Sequence, residues 1–310
     1  MASARVLVCD AIHQDGMMKL RESGFIVDEK PTITKEELVK VVGDYDALVV
    51  RSRTKVTAEI IKASKKLRVV ARAGVGVDNI DVKAAEDKGV LVINTPEAPS
   101  VAVAELTLGF MLSLVREIPR ADRTMKRGEW IKNQLTGREL RGKTLGVVGF
   151  GRIGYQVAKR ASAFEMKVLA YDVAIDRVMR YVKELGAEPV TLQELLRRSD
   201  FVTIHVPLLP ETRYLIGEKE IEMMKNGGYL LNTSRGGIVN EEALEKALKS
   251  GKLAGAGLDV FESEPPKDTS LSILENLVAT PHIGAQTEEA QREAAIILSD
   301  KLAEAFKVRS

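Results

Sequence analysis

Short runs of β-branched and aliphatic residues alternate along the chain with stretches whose apolar positions recur at helical spacing. RVLVCD (5–10), FIVDEK (25–30), ALVVRS (47–52) and LRVVARAG (67–74) read as strands, with the helix-like MMKLRES, KEELVKVVG and TAEIIKAS between them. That rhythm predicts a parallel sheet assembled from strand–helix–strand units.

A second series of the same kind begins at KTLGVVGFG (143–151). It continues through KVLAYD, DFVTIHVP, GGYLLNTSRGG and LAGAGLDVFE to LVATPHIGA (277–285), with helical stretches between most of the strands. Two doubly wound α/β domains are therefore expected, and no repeat of solenoid length is present.

Between the two series lies VAVAELTLGFMLSLV (101–115), apolar nearly all round, with Ser100 as the expected N-cap. A helix without a polar face must bury itself, here at a domain junction or against a partner subunit. Glu105 interrupts it and it falls short of a bilayer span, so no membrane helix is expected. The final stretch, TEEAQREAAIILSDKLAEAFK (287–307), is an amphipathic helix expected to return to the first domain.

Composition narrows the classes. With 310 residues and 45% hydrophobic content the chain can bury a sizeable core. Lys+Arg 46 against Asp+Glu 44 leaves a net charge of +2, which gives no sign of a nucleic-acid or membrane surface. Cys9 is the only cysteine, which excludes an internal disulfide and any multi-cysteine metal site. The N-terminus carries no secretion pattern, so a cytoplasmic protein is expected.

The sharpest local motif is GVVGFGRIGYQVAKR, which sets Gly149, Gly151 and Gly154 in G-x-G-x-x-G spacing. The spacing is weak alone, and GVGVDN at 74–79 nearly imitates it. Here it follows a strand-like run, opens a helix-like one and leads to KVLAYD, a strand ending in an acid. Gly149 would make the turn, Gly151 would admit a pyrophosphate to the backbone, and Gly154 would let the helix pack closely. The helix N-terminus would hold the anion. Asp172, 18 residues after Gly154, suits the adenosine ribose and would repel a 2′-phosphate, so NAD is expected rather than NADP.

A nicotinamide cofactor changes the reading of VATPHIGA. Of three histidines, His13, His205 and His282, the last stands just behind a proline at a strand end. Hydride leaving an alcohol carbon requires the hydroxyl proton to leave too, and a histidine is the natural base. VFESEPP offers Glu262 and Glu264 to orient it, and spacing does not choose between them. Arg235, in LLNTSRGGIVNE, follows a strand end, where an arginine can grip a carboxylate in two places.

Taken together, GFGRIG with AYD, HVPLLPETRYLI, LLNTSRGGIVNE, GLDVFESEPP and TPHIGA resemble the D-isomer-specific 2-hydroxyacid dehydrogenases, in order and over essentially the whole chain. The resemblance implies Arg235 as the substrate-orienting arginine, Glu264 as the acid supporting the histidine, and His282 as the general acid/base. It adds Arg152, Ile153, His205, Val206, Pro207, Thr233, Ser234, Asp259, Gly284 and Ala285 to Gly149, Gly151, Gly154 and Asp172 as cofactor residues. It implies a substrate domain of 1–98 with 284–310, flavodoxin-like, and an inserted Rossmann-type NAD domain of 99–283.

Within the family the phosphoglycerate enzymes are most similar, through LVVRSRTKVT, VVARAGVGVDNID and VLVINTPEAPS. Substrate binding is expected at Arg51, Ser52, Arg72, Ala73, Gly74, Val75 and Gly76, with Arg53 and Lys55 as further basic candidates. A carboxylate-plus-phosphate substrate carries more charge than one arginine neutralises. The expected reaction is NAD-dependent oxidation of 3-phospho-D-glycerate. Its alternatives are a hydroxypyruvate or glyoxylate reductase and, more remotely, a non-enzymatic NAD-sensing corepressor. A homodimer, no metal and no C-terminal regulatory domain are expected. Ser234, Asn240 and Gln286 depart from common family choices, which touches fine tuning only.

Overall fold

A computed structural model describes residues 3–308 and divides the chain into two compact units. One unit comprises the residues up to Pro99 and those from Ala285 onward, and the other is Ser100–Gly284.

In the first unit, β1 (Arg5–Val8), β2 (Ile26–Glu29), β3 (Ala47–Val50), β4 (Val69–Arg72) and β5 (Leu91–Asn94) form one parallel sheet in the order β2-β1-β3-β4-β5. The crossovers carry α1 (Gln14–Glu22), α2 (Lys35–Val41), α3 (Ala58–Ala63) and α4 (Val82–Asp87). Successive side chains of a strand point to opposite faces, and both faces here are covered. Leu7, Leu48 and Val50 therefore enter one core with Ile60 and Ile61, while Val6, Val8 and Val49 enter another.

That second core is closed by the C-terminal helix, Glu288–Val308, through the fully buried Leu298 and Leu302. Truncating either to alanine would cost about 2–5 kcal/mol. The helix lies tight on α1: a Cβ at Gly16 would stand 2.5 Å from Ala295 Cβ, and Ser299 Oγ donates to the Gly16 carbonyl.

The second unit opens with α5 (Ser100–Val115) and α6 (Ile118–Lys126). Its chain then alternates through β6 (Thr144–Val148), α7 (Arg152–Ala163), β7 (Lys167–Tyr171), α8 (Ile175–Glu184), β8 (Glu188–Pro189), α9 (Leu192–Arg198) and β9 (Phe201–Ile204). α10 (Glu218–Met223), β10 (Gly228–Asn232), α11 (Glu241–Ser250), β11 (Leu253–Leu258) and β12 (Leu277–Ala279) complete it. The seven strands are parallel, in the order β12-β11-β10-β9-β6-β7-β8. The order turns back between β6 and β9, and the carboxyl ends of those strands flank the crevice where such sheets take ligands.

Ser100 corrects one expectation. It is the first helical residue of α5 rather than its cap, and its buried hydroxyl has no hydrogen-bond partner. The apolar girth of α5 is met largely inside its own unit. It packs on α7 and β11, where Gly257 gives room: a Cβ there would stand 2.9 Å from Phe110. Val101, Glu105 and Gly109 remain exposed. Among the described residues, no helix is long and apolar enough to cross a membrane, and no cluster of His, Cys, Asp or Glu could hold a metal.

Candidate active site

The glycine turn joins β6 to α7, and its three glycines meet three different surroundings. Gly149 has φ 89°, and a Cβ there would stand 2.5 Å from the His205 carbonyl oxygen, so the turn lies directly against the end of β9. A Cβ on Gly154 would meet the Gly149 carbonyl at 2.1 Å, which makes glycine the condition for seating α7 on the turn. Gly151, which caps α7, faces open space with nothing within 4 Å. This open side, beside the N–H groups of Arg152, Ile153 and Gly154, fits a pyrophosphate.

Asp172, just past β7, accepts hydrogen bonds from the Phe150 N–H at 2.9 Å and the Ala174 N–H at 2.8 Å. Its carboxylate thus braces the glycine turn and keeps lone pairs for a ribose. Past β9, His205 pairs through Nε2 with Thr203 Oγ1 at 2.9 Å. Its Nδ1 is enclosed and has no protein partner, and burial pushes its pKa down to about 3. Val206 is half-buried beside it, and the Pro207 carbonyl accepts from Thr212 Oγ1. An orphaned imidazole nitrogen and an open glycine cradle at one switch point suit a dinucleotide.

Arg235 sits in the loop after β10, and that loop is shaped by Asn232. The Asn232 side chain accepts from the Ser234 N–H and Oγ and donates to the Arg235 carbonyl at 2.8 Å. Thr233 Oγ1 lies 3.1 Å from Thr107 Oγ1, which already donates to the Val103 carbonyl and so receives the Thr233 proton. Gly236 brings the loop against the segment after β11: a Cβ there would stand 1.8 Å from the Phe261 carbonyl oxygen.

That segment supplies the acid. Glu264 Oε2 lies 2.8 Å from His282 Nδ1, and its Oε1 accepts from the Phe261 N–H. Glu262 accepts instead from the Tyr214 hydroxyl and the Glu241 N–H. Burial raises the Glu264 carboxyl, but the His282 hydrogen bond, its charge and that of Arg235 outweigh it and hold the group below the ordinary carboxylate value.

His282 has φ 55°, in the left-handed region that costs a non-glycine residue about 1–3 kcal/mol. Asp259, almost fully buried, holds the loop in that form. Its carbonyl accepts the His282 N–H at 2.8 Å, and its carboxylate accepts from Thr280 Oγ1, the Ile283 N–H and the Gly284 N–H at 2.6–2.7 Å. The Asp259 carboxylate is thereby engaged by the histidine loop.

In the first unit the substrate candidates separate by their partners. Arg53 is anchored on Asp10 at 3.0 Å and donates to the Cys9 and Ile33 carbonyls. The guanidinium of the half-buried Arg51 meets only neutral oxygens: the Ala11 carbonyl and the side chains of Gln286 and Gln291. Arg72 ends β4 and donates to the Arg51 carbonyl. Arg51, Ala73 and Gly74 line one cavity, although the Gly74 N–H is already donated to Thr95 Oγ1. Ser52 is exposed, and Val75 and Gly76 are half-buried. Ala285 lines that cavity as well, in this unit. His13, also on its wall, caps α1 by accepting the Asp15 N–H.

The residues that sequence reasoning missed are Asn232, Gly236, the gripping role of Asp259, and Gln291. Asn232 had a signal, since an asparagine two residues before a turn offers its side chain to that turn. Gly236 had none beyond being a glycine.

Residues 108–284 match the model described as "D-isomer specific 2-hydroxyacid dehydrogenase, NAD binding domain". The chain is 50% identical over 299 residues to a D-3-phosphoglycerate dehydrogenase of Methanocaldococcus jannaschii, covering 96% of this chain but 56% of that protein. It therefore spans about half the length of that relative. It is 48% identical over 305 residues to a hydroxypyruvate reductase of Thermotoga maritima, covering 97% of this chain and 98% of that one. The crystal structure of the TT0316 protein from Thermus thermophilus superposes with a TM-score of 0.89 at 37% identity, covering 98% and 97% of the two chains.

Proposed function

The chain belongs to the D-isomer-specific 2-hydroxyacid dehydrogenase family, and from that membership we propose that it oxidises 3-phospho-D-glycerate at C2 with NAD, giving 3-phosphohydroxypyruvate for serine synthesis. The unit Ser100–Gly284 takes the coenzyme, and the other unit takes the substrate. The same reading has the enzyme cytoplasmic and dimeric, and the individually exposed Val101, Ile118, Met125 and Trp130 of the coenzyme unit support the second part.

NAD, when bound, supplies the hydride acceptor. The chain's own residues do the rest. His282 takes the hydroxyl proton at Nε2, the ring nitrogen that no described protein group claims, while Nδ1 is held by Glu264. The imidazolium that forms faces a carboxylate already ionised by its surroundings. Arg235 holds the substrate carboxylate in a fork. Arg51, with Ser52, Arg72 and the loop Ala73–Gly76, receives the phosphate end; Arg53 is set aside because Asp10 already neutralises it.

The observation that carries the reading is the His282–Glu264 pair at 2.8 Å, in the orientation a base requires. Single-turnover reduction of NAD by 3-phosphoglycerate tests it. His282→Asn should slow the chemical step by about 10²–10⁴-fold. Near-normal turnover in that variant would remove His282 from the mechanism.

A second reading, reduction of unphosphorylated hydroxypyruvate, draws on the relative of almost equal length. It keeps every role above except the phosphate role of Arg51.

A further inference from the structure

Arg51 carries a charge that no described carboxylate pairs. Its guanidinium donates to Gln286 Oε1 at 3.1 Å, and at longer range to the Ala11 carbonyl at 3.4 Å and Gln291 Oε1 at 3.5 Å. Asp10, whose charge reaches it, spends its carboxylate on the Arg51 and Thr54 N–H groups, the Thr54 hydroxyl and Arg53. A half-buried guanidinium bonded to no carboxylate is a strong receptor for an anion.

Gln286 is the centre of this arrangement. Its Oε1 accepts from Arg51 Nη2 and from Gln291 Nε2, the latter at 2.6 Å. Gln291 lies on the C-terminal helix, so the amide of Gln286 ties the arginine to a rigid element. The residue type has consequences. A serine is too short to span the same distance, and a glutamate would bring a full negative charge within salt-bridge reach of Arg51. Only a long neutral amide holds the guanidinium in place and leaves its charge unspent.

We propose that Gln286 is a specificity-determining positioning residue, which orients Arg51 through a neutral hydrogen bond and so selects substrates bearing a second anionic group, a phosphate, beside the 2-hydroxy acid. The inference rests on the reading that Arg51 receives that phosphate.

The test compares kcat/KM for 3-phosphohydroxypyruvate and hydroxypyruvate, with NADH, in the wild type and in Gln286→Glu, Gln286→Met and Arg51→Ala. The ratio of phosphorylated to unphosphorylated substrate should fall about tenfold or more in Gln286→Glu, carried by KM of the phosphorylated acid. Gln286→Met, which keeps length and loses the acceptor, should fall less. A structural role alone would lower both substrates together and leave the ratio where it was.

The two layers fail separately. If Arg51→Ala lowers the ratio and Gln286→Glu does not, Gln286 has no part in selection. If Arg51→Ala leaves the ratio unchanged, the phosphate role of Arg51 falls, and the inference falls with it.

Discussion

His282 Nδ1 lies 2.8 Å from Glu264 Oε2, and the histidine that makes this contact has a left-handed backbone fixed by Asp259. The acid therefore meets a ring whose backbone is held by a second, buried carboxylate. Glu264→Gln keeps the size of the side chain and removes the charge that faces the imidazolium. It should lower kcat/KM by about 10- to 100-fold with the fold retained, as read by steady-state kinetics beside circular dichroism.

The same pair sets a stability trend in acid. Because the folded-state pKa of Glu264 lies below its ordinary value, its stabilising contribution is present above that ordinary value and is lost as pH falls through the lowered one. Denaturant unfolding should show the gap between wild type and Glu264→Gln narrowing as pH drops below the ordinary carboxylate range. A gap that widened would contradict the assignment.

His205 acts in the same direction over a higher window of pH. Burial holds its pKa at about 3 against an ordinary 6.5, so below 6.5 the unfolded chain binds a proton that the folded chain refuses. Stability is lost as pH falls from 6.5 toward 3. His205→Gln should be less acid-sensitive over that window, and the His205 ring signal in NMR should not titrate between about pH 5 and 9.

Gly151 and Gly154 separate binding from folding. A Cβ at Gly151 meets nothing, whereas one at Gly154 meets the Gly149 carbonyl at 2.1 Å. Gly151→Val should leave Tm nearly unchanged while weakening NAD by at least about tenfold, as a side chain occupies the pyrophosphate's approach. Gly154→Val should lower Tm itself, by several degrees for a clash of about 2 kcal/mol.

Arg53 and Arg51 should part in the same way. Arg53 pairs with Asp10 and two main-chain carbonyls, so Arg53→Ala should reduce stability, measured as a lower unfolding midpoint. Removing one partner leaves the nearly buried Asp10 carboxylate under-compensated. Arg51→Ala leaves only neutral oxygens behind and should cost less.

Much of this was legible in the chain itself because local patterns agreed with the tertiary result. The runs RVLV, ALVV and TLGVV are strands because each is covered on both faces, and the glycine turn is readable because each glycine answers a separate steric demand. The choice of Glu264 over Glu262 was not readable from spacing. It depends on Glu262 being drawn to Tyr214 and the start of α11, far away in sequence. Arg51 and Arg53 likewise look alike as letters. Only the placement of Asp10 and of the two glutamines tells the spent cation from the unspent one. Ser100 has the type of a cap and the position of a helical residue, because the buried start of α5 is set by packing rather than by its first turn.

The most direct measurement follows NADH consumption by the wild-type protein with 3-phosphohydroxypyruvate, hydroxypyruvate, glyoxylate and pyruvate in parallel, and compares kcat/KM. A preference of about a hundredfold or more for the phosphorylated acid is the predicted result, since a desolvated arginine pairing with phosphate is worth about 2–3 kcal/mol. Equal or better use of the unphosphorylated acids would contradict the account and make the protein a general 2-keto acid reductase built on the same His282–Glu264 pair.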